Sequence, residues 1–177
     1  MDVIYIATPH PLHCENTLLC LRAGKAVLCE KPFAINATEA RAMVGEARAR
    51  GLFLMEAMWS RFYPAFFTLR ELLAAGAIGE VRMLTADLGF RSNFNPQGAC
   101  LTGARRRGAA GCGVYPVSLA SHILKPSGVL SKAHLGETGV DEQAGIMLSY
   151  PQGQIALLHT AIRTTTLHEA TLMGTEG

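Results

Sequence analysis

No stretch of this 177-residue chain approaches the roughly 20 consecutive apolar residues needed to cross a bilayer, and no basic start with an apolar core opens it as a secretory signal would. Charge of one sign is also missing: 16 Lys and Arg face 14 Asp and Glu, a formal net charge of +2. Aromatic residues are only 7% of the chain, with a single tryptophan. The five cysteines, Cys14, Cys20, Cys29, Cys100 and Cys112, form no C-x-x-C pair and are odd in number, which suits small buried hydrophobes in a reducing compartment rather than disulfides or zinc ligands. These absences point away from membranes and nucleic acid and make the cytoplasm the expected location. The one basic run, Arg105-Arg106-Arg107, has no interleaved aromatics and reads as a solvated loop.

What is present is 49% hydrophobic residues, enough to rule out intrinsic disorder. Val3-Ile4-Tyr5-Ile6-Ala7 is an unbroken apolar run of strand type, stopped by Thr8-Pro9-His10-Pro11. Helical composition over residues 12–23 ends at Gly24, and a second apolar strand runs from Ala26 to Cys29. Asn36 with Glu39 three residues later predicts a capped helix reaching Arg50, with Gly51 as its stop and a third strand over residues 52–55. Alternation at this spacing predicts a doubly wound α/β unit. The pattern then changes near residue 57. A helix over residues 64–75 ends at Gly76, an extended stretch covers residues 80–91, and a helix begins at Pro116. Segments 144–150, 154–164 and 168–173 read as successive antiparallel strands, the first two joined by Tyr150-Pro151-Gln152-Gly153. The expectation is an α/β part over residues 1–57 and an α+β part over residues 58–177.

In open α/β sheets ligands collect at the carboxyl ends of the strands. Two loops occupy that position, residues 8–13 and Glu30-Lys31-Pro32. A lysine at a strand end can hold a substrate hydroxyl and a ribose. Alone, Glu30 and Lys31 read as a solvated ion pair, His10 and His13 as local hydrogen-bonding groups, Trp59 as core and Tyr115 as a helix-start tyrosine between sheet and helix.

Taken together, residues 26–32 (Ala-Val-Leu-Cys-Glu-Lys-Pro), 54–64 (Leu-Met-Glu-Ala-Met-Trp-Ser-Arg-Phe-Tyr-Pro) and 136–141 (Gly-Glu-Thr-Gly-Val-Asp) resemble the glucose-fructose oxidoreductase and inositol dehydrogenase family, and within it the dihydrodiol and NADP-dependent D-xylose dehydrogenase branches. The resemblance implies the C-terminal part of a Rossmann domain followed by an α+β domain with an open, mostly antiparallel sheet, and a nicotinamide between them. It implies reversible hydride transfer between a carbinol carbon of a dihydrodiol, aldose or polyol and NADP, with NAD as the other cofactor to consider. It further implies a homodimer through the sheet face. Carried over position by position, Lys31 and Tyr115 are the catalytic pair, and Thr8, Pro9, His10, His13, Glu30, Lys31, Trp59 and Arg61 contact the cofactor. A phenol ionises near pH ~10 unaided, and a positive charge such as that of Lys31 would favour its working at neutral pH.

Two departures accompany the resemblance. The family pattern opens with a G-x-G-x-x-G turn that precedes anything matched here, so the chain reads as a fragment expected to bind dinucleotide poorly by itself; a catalytically silent member or an associating subunit is the alternative function. Residues 99–113 depart from the pattern while both flanks keep it, and Gly111 stands where the pattern has aspartate. A local double frameshift would account for that segment. Asp141 reads as structural.

Overall fold

The computed structural model describes residues 1–91, 110–137 and 139–177, Ala110 by its backbone alone. The basic stretch with Arg105 to Arg107, and most of the segment read as frameshifted, lie outside the described residues. The described residues form two compact units, one over Met1–Met58 and one from Trp59 onward. No helix among the described residues is long and apolar enough to cross a membrane.

The first unit runs β1 (Val3–Ile6), α1 (His13–Arg22), β2 (Ala26–Cys29), α2 (Ala37–Arg50) and β3 (Leu54–Glu56). Its three strands are parallel in the order β1-β2-β3, with Ile6 level with Cys29 and Cys29 level with Glu56. The apolar runs that gave strands β1 and β2 also give the core: Ile6, Val27 and Cys29 pack with Leu21 of α1 and with Met43 and Ala47 of α2. In each helix the buried positions are four apart, His13, Thr17 and Leu21 on α1 and Met43 and Ala47 on α2, as one face of a helix requires. The start of α2 is held as the sequence predicts. The Asn36 Oδ1 accepts from the Glu39 amide at 2.9 Å, and the Glu39 carboxylate accepts the Ile35 amide at 3.2 Å. Gly51 closes the other end at φ 63°, a conformation that suits glycine. The third strand starts two residues later than expected, because the Leu52 amide still serves the helix by donating to the Ala47 carbonyl at 3.0 Å.

The second unit contains α3 (Pro64–Ala74), β4 (Val81–Gly89), α4 (Ala110–Ile123), β5 (Gly128–Leu135), β6 (Asp141–Ser149), β7 (Ile155–Ala161) and β8 (Ala170–Gly174). Its sheet has the order β5-β6-β7-β4-β8. Three pairings are antiparallel and one, β4 with β7, is parallel. This is the open, mostly antiparallel sheet expected, with three corrections. The last strand does not continue a hairpin from β7 but pairs with β4. Strand β5 has no counterpart in the sequence reading: it is an edge strand exposed along almost all its length, so no buried alternation marks it. Helix α4 begins at Ala110 and carries Pro116 in its interior, six residues before the start that a proline at the first helical position suggests. The hairpin turn is as expected, with the Gly153 amide donating to Tyr150 at 3.0 Å and the Tyr150 amide to Gln154 at 3.2 Å.

One face of this sheet is closed by α4. Ala120 packs with Leu84, Ala86, Leu148, Tyr150, Ala156 and Leu158. Close approach near the helix start depends on Gly113, where a Cβ would lie 3.1 Å from the Thr160 methyl.

Candidate active-site residues

In the first unit the register of the three strands brings their carboxyl ends to one edge of the sheet. Residues 7–12 and 30–36 leave from that edge. Their shapes are set by one imidazole. His13, at the start of α1, is fully buried, with Nε2 2.9 Å from the Thr8 carbonyl and Nδ1 2.9 Å from the Pro32 carbonyl. One side chain thus ties the exit of β1 to the exit of β2. Asn16 adds to the hold, its amide donating to the Thr8 hydroxyl at 3.1 Å.

Glu30 is turned back toward its own strands. Its carboxylate accepts a short hydrogen bond from the Tyr5 hydroxyl and a second from the Lys31 amide at 3.1 Å. That bond, with burial and the carboxylate charge, raises the Tyr5 hydroxyl above its ordinary value. The next amide but one, that of Phe33, donates to the Glu56 carboxylate at 3.0 Å, which joins the loop to the end of β3. Lys31 therefore stands between two anchored neighbours, half-buried, with a cis peptide bond to Pro32. Thr8, Pro9, His10, Glu30 and Lys31 are all half-buried on this edge. Of the six residues predicted here, His13 is the one withdrawn from the surface, and it acts on the others through the backbone. Cys29, beneath them, is pushed up to about 11 by burial first and by the Glu56 and Glu30 charges, against a hydrogen bond from Thr17, which makes it an inert thiol.

The second unit brings together the other three predicted residues. The Trp59 indole donates to the Tyr115 hydroxyl at 3.0 Å, with ring centroids 5.7 Å apart and edge to face. Arg61 Nε donates to the Ser118 hydroxyl at 3.0 Å. Phe66 of α3 lies against His122, ring centroids 6.2 Å apart. Burial, then the charges of Arg61 and Arg70, hold His122 below its ordinary value. Tyr115, Ser118 and His122 are spaced three and four residues apart, so they share a face of α4. Ser118 and His122 were absent from the sequence reading; their spacing from Tyr115 would have found them had the helix been started at Ala110.

Residues 1–58 match the family model described as an oxidoreductase family with an NAD-binding Rossmann fold, and residues 66–177 match the GFO/IDH/MocA C-terminal domain. Over 180 residues the chain is 43% identical to trans-1,2-dihydrobenzene-1,2-diol dehydrogenase of Mus musculus, covering 100% of this chain and 54% of that protein. Among solved structures, the aldose-aldose oxidoreductase of Caulobacter crescentus complexed with glycerol aligns with a TM-score of 0.88 at 27% identity, over 98% of this chain and 54% of that one. A 3-ketoreductase of Actinomadura kijaniata in complex with NADP and TDP-benzene aligns with a TM-score of 0.86 at 29% identity, over 99% and 55%. The chain spans about half the length of each.

Proposed function

Because the chain belongs to the GFO/IDH/MocA oxidoreductase family, we propose that it serves reversible oxidation of a carbinol in a dihydrodiol, aldose or polyol, with NADP, or NAD in its place, as cofactor. The observation that carries this reading is Lys31, held at the carboxyl edge of a parallel sheet between a carboxylate bonded to its own amide and a proline carbonyl pinned by His13. An ammonium, a threonine hydroxyl and an imidazole, all half-buried on that edge, suit the hydroxyls of a ribose and of a carbinol.

In this proposal Thr8, Pro9, His10, Glu30 and Lys31 hold the nicotinamide end of the cofactor, His13 keeps their loops in register, and Trp59 and Arg61 complete the set. When bound, the nicotinamide accepts the hydride or returns it. The chain's own work is to orient the carbinol and move its proton. Lys31 Nζ holds the carbinol oxygen as a fixed cation, and the Tyr115 Oη takes the hydroxyl proton during oxidation and gives one back during reduction. The test follows nicotinamide absorbance with the wild-type chain on a dihydrodiol, D-xylose and an inositol. Y115F is expected to lower kcat by roughly 10²- to 10⁴-fold, and K31M to abolish turnover.

A second reading, a catalytically silent member, is favoured by Gly111. It lies one helical turn before Tyr115 on α4 and offers no side chain where the family pattern has a carboxylate. Turnover appearing only in G111D would select this reading.

The second unit also carries the partner we propose, a second copy of the chain. On the sheet face away from α4, exposed Leu130 neighbours Met147, which pairs in turn with exposed Leu157. Exposed Met83 pairs with Ile155 on the same face. An apolar surface spread over four strands favours association. L130E combined with L157K is expected to turn a dimer into a monomer by light scattering. A cytoplasmic location is part of the same proposal, since an odd number of cysteines with no C-x-x-C pair suits a reducing compartment.

A further inference from the structure

The hydrogen bond between Trp59 and Tyr115 has only one polarity. An indole N–H donates and cannot accept, whereas a phenol oxygen does both. At 3.0 Å from the Trp59 Nε1, the Tyr115 oxygen is therefore the acceptor. Trp59 is itself 46% exposed, too open for burial alone to fix its ring. Its orientation comes from neighbours. Tyr63 meets it edge-on, 4.9 Å between centroids at 65°, and Tyr115 meets it 5.7 Å away at 69°. Arg61 on Ser118, and Phe66 on His122, repeat the connection one and two turns further along α4. The segment from Trp59 to Phe66 is thus fastened to one face of that helix at three successive turns.

We propose that Trp59 is a positioning residue for Tyr115: its N–H fixes the phenol oxygen as an acceptor on the indole side and confines the phenol's own proton to the directions that remain. The same N–H serves both directions of reaction. It orients the hydroxyl as a proton donor, and it bonds more strongly, with charge assistance, to the phenolate left after donation. This inference rests on the reading of Tyr115 as the proton-transfer residue, and it gives Trp59 a role apart from cofactor contact.

Trp59 is the single tryptophan of the chain, so the 177-residue chain shows one indole N–H resonance, and its shift and solvent exchange report this bond without cofactor or turnover. In Y115F that resonance is expected to move upfield and exchange faster, while Y63F, which keeps the acceptor, leaves it in place. The catalytic consequence is read by a double-mutant cycle. W59F keeps an aromatic ring and loses the donor; it should lower kcat roughly tenfold with the KM for the carbinol nearly unchanged, and should add little in a Y115F background. An indole resonance unmoved in Y115F overturns the inference, as does W59F acting equally with and without the Tyr115 hydroxyl. Absence of turnover in the wild-type chain counts against the proposed function instead, and the indole resonance then decides this inference alone.

Discussion

Arg61 reaches Ser118 across 3.0 Å, its Nε donating to the hydroxyl of a serine that is only 9% exposed. The segment after the first unit is therefore fastened to α4 by a charged donor, one turn beyond the tyrosine on which the proposed chemistry depends. S118A removes the acceptor while leaving the guanidinium partly in water, so the expected loss is modest, about 1 kcal/mol in chemical denaturation. S118T, which keeps a hydroxyl, is expected to recover most of it.

His13 is predicted to be the least replaceable residue of the first unit. H13L would remove the N–H that a neutral imidazole gives to one of the Thr8 and Pro32 carbonyls, together with the ring packed between them, and leaving that acceptor unmet beside a buried apolar group costs about 1–3 kcal/mol. The expected result is a lower denaturation midpoint together with weaker cofactor binding, since both loops lose their common anchor. Unchanged stability would mean that the loops hold themselves.

His122 gives the protein a pH dependence of definite sign. Burial and the charges of Arg61 and Arg70 keep its folded-state value below that of the unfolded chain, so the unfolded chain binds this proton first as pH falls. Its contribution to stability is complete above about pH 6.5 and is lost progressively below that. H122F should flatten this part of the profile, measured as the difference in denaturation midpoint from the wild type between about pH 7 and pH 5.

Two glycines are expected to respond to alanine in opposite directions. A Cβ at Gly174 would lie 1.8 Å from the Ile78 carbonyl oxygen, and β8 would have to move off its partner β4. G174A should cost more than about 2 kcal/mol. Gly45 lies inside α2 with nothing within 4 Å of a Cβ, so G45A should stabilise by about 0.5–1 kcal/mol. Melting temperatures of the two variants check both.

Local chemistry was the legible part of the chain. Asn36 and Glu39 mark the start of α2 because the cap is made within three residues, and Gly51 and Gly153 mark a helix end and a turn because both take positive φ. Lys31 and its neighbours were visible as charged and cyclic residues directly after an apolar strand. Long-range pairing was not legible. Nothing in residues 170–174 says that their partner is β4 rather than the strand just before them, and β5, exposed on both faces, has no alternation to read. Ser118 and His122 escaped because Pro116 suggested a helix start that in fact lies at Ala110. The partners that define the roles of Trp59, Arg61 and Glu30 are 25 to 57 residues away, beyond any local pattern.

The central claim is that Tyr115 exchanges a proton while a nicotinamide exchanges a hydride. Its most direct test is single-turnover transfer from a carbinol deuterated at carbon to NADP, in wild type and Y115F. The account predicts deuterium in the reduced cofactor with the wild-type chain, and transfer slowed by at least about 100-fold in Y115F at unchanged cofactor affinity. Deuterium transfer at the same rate in both would contradict it.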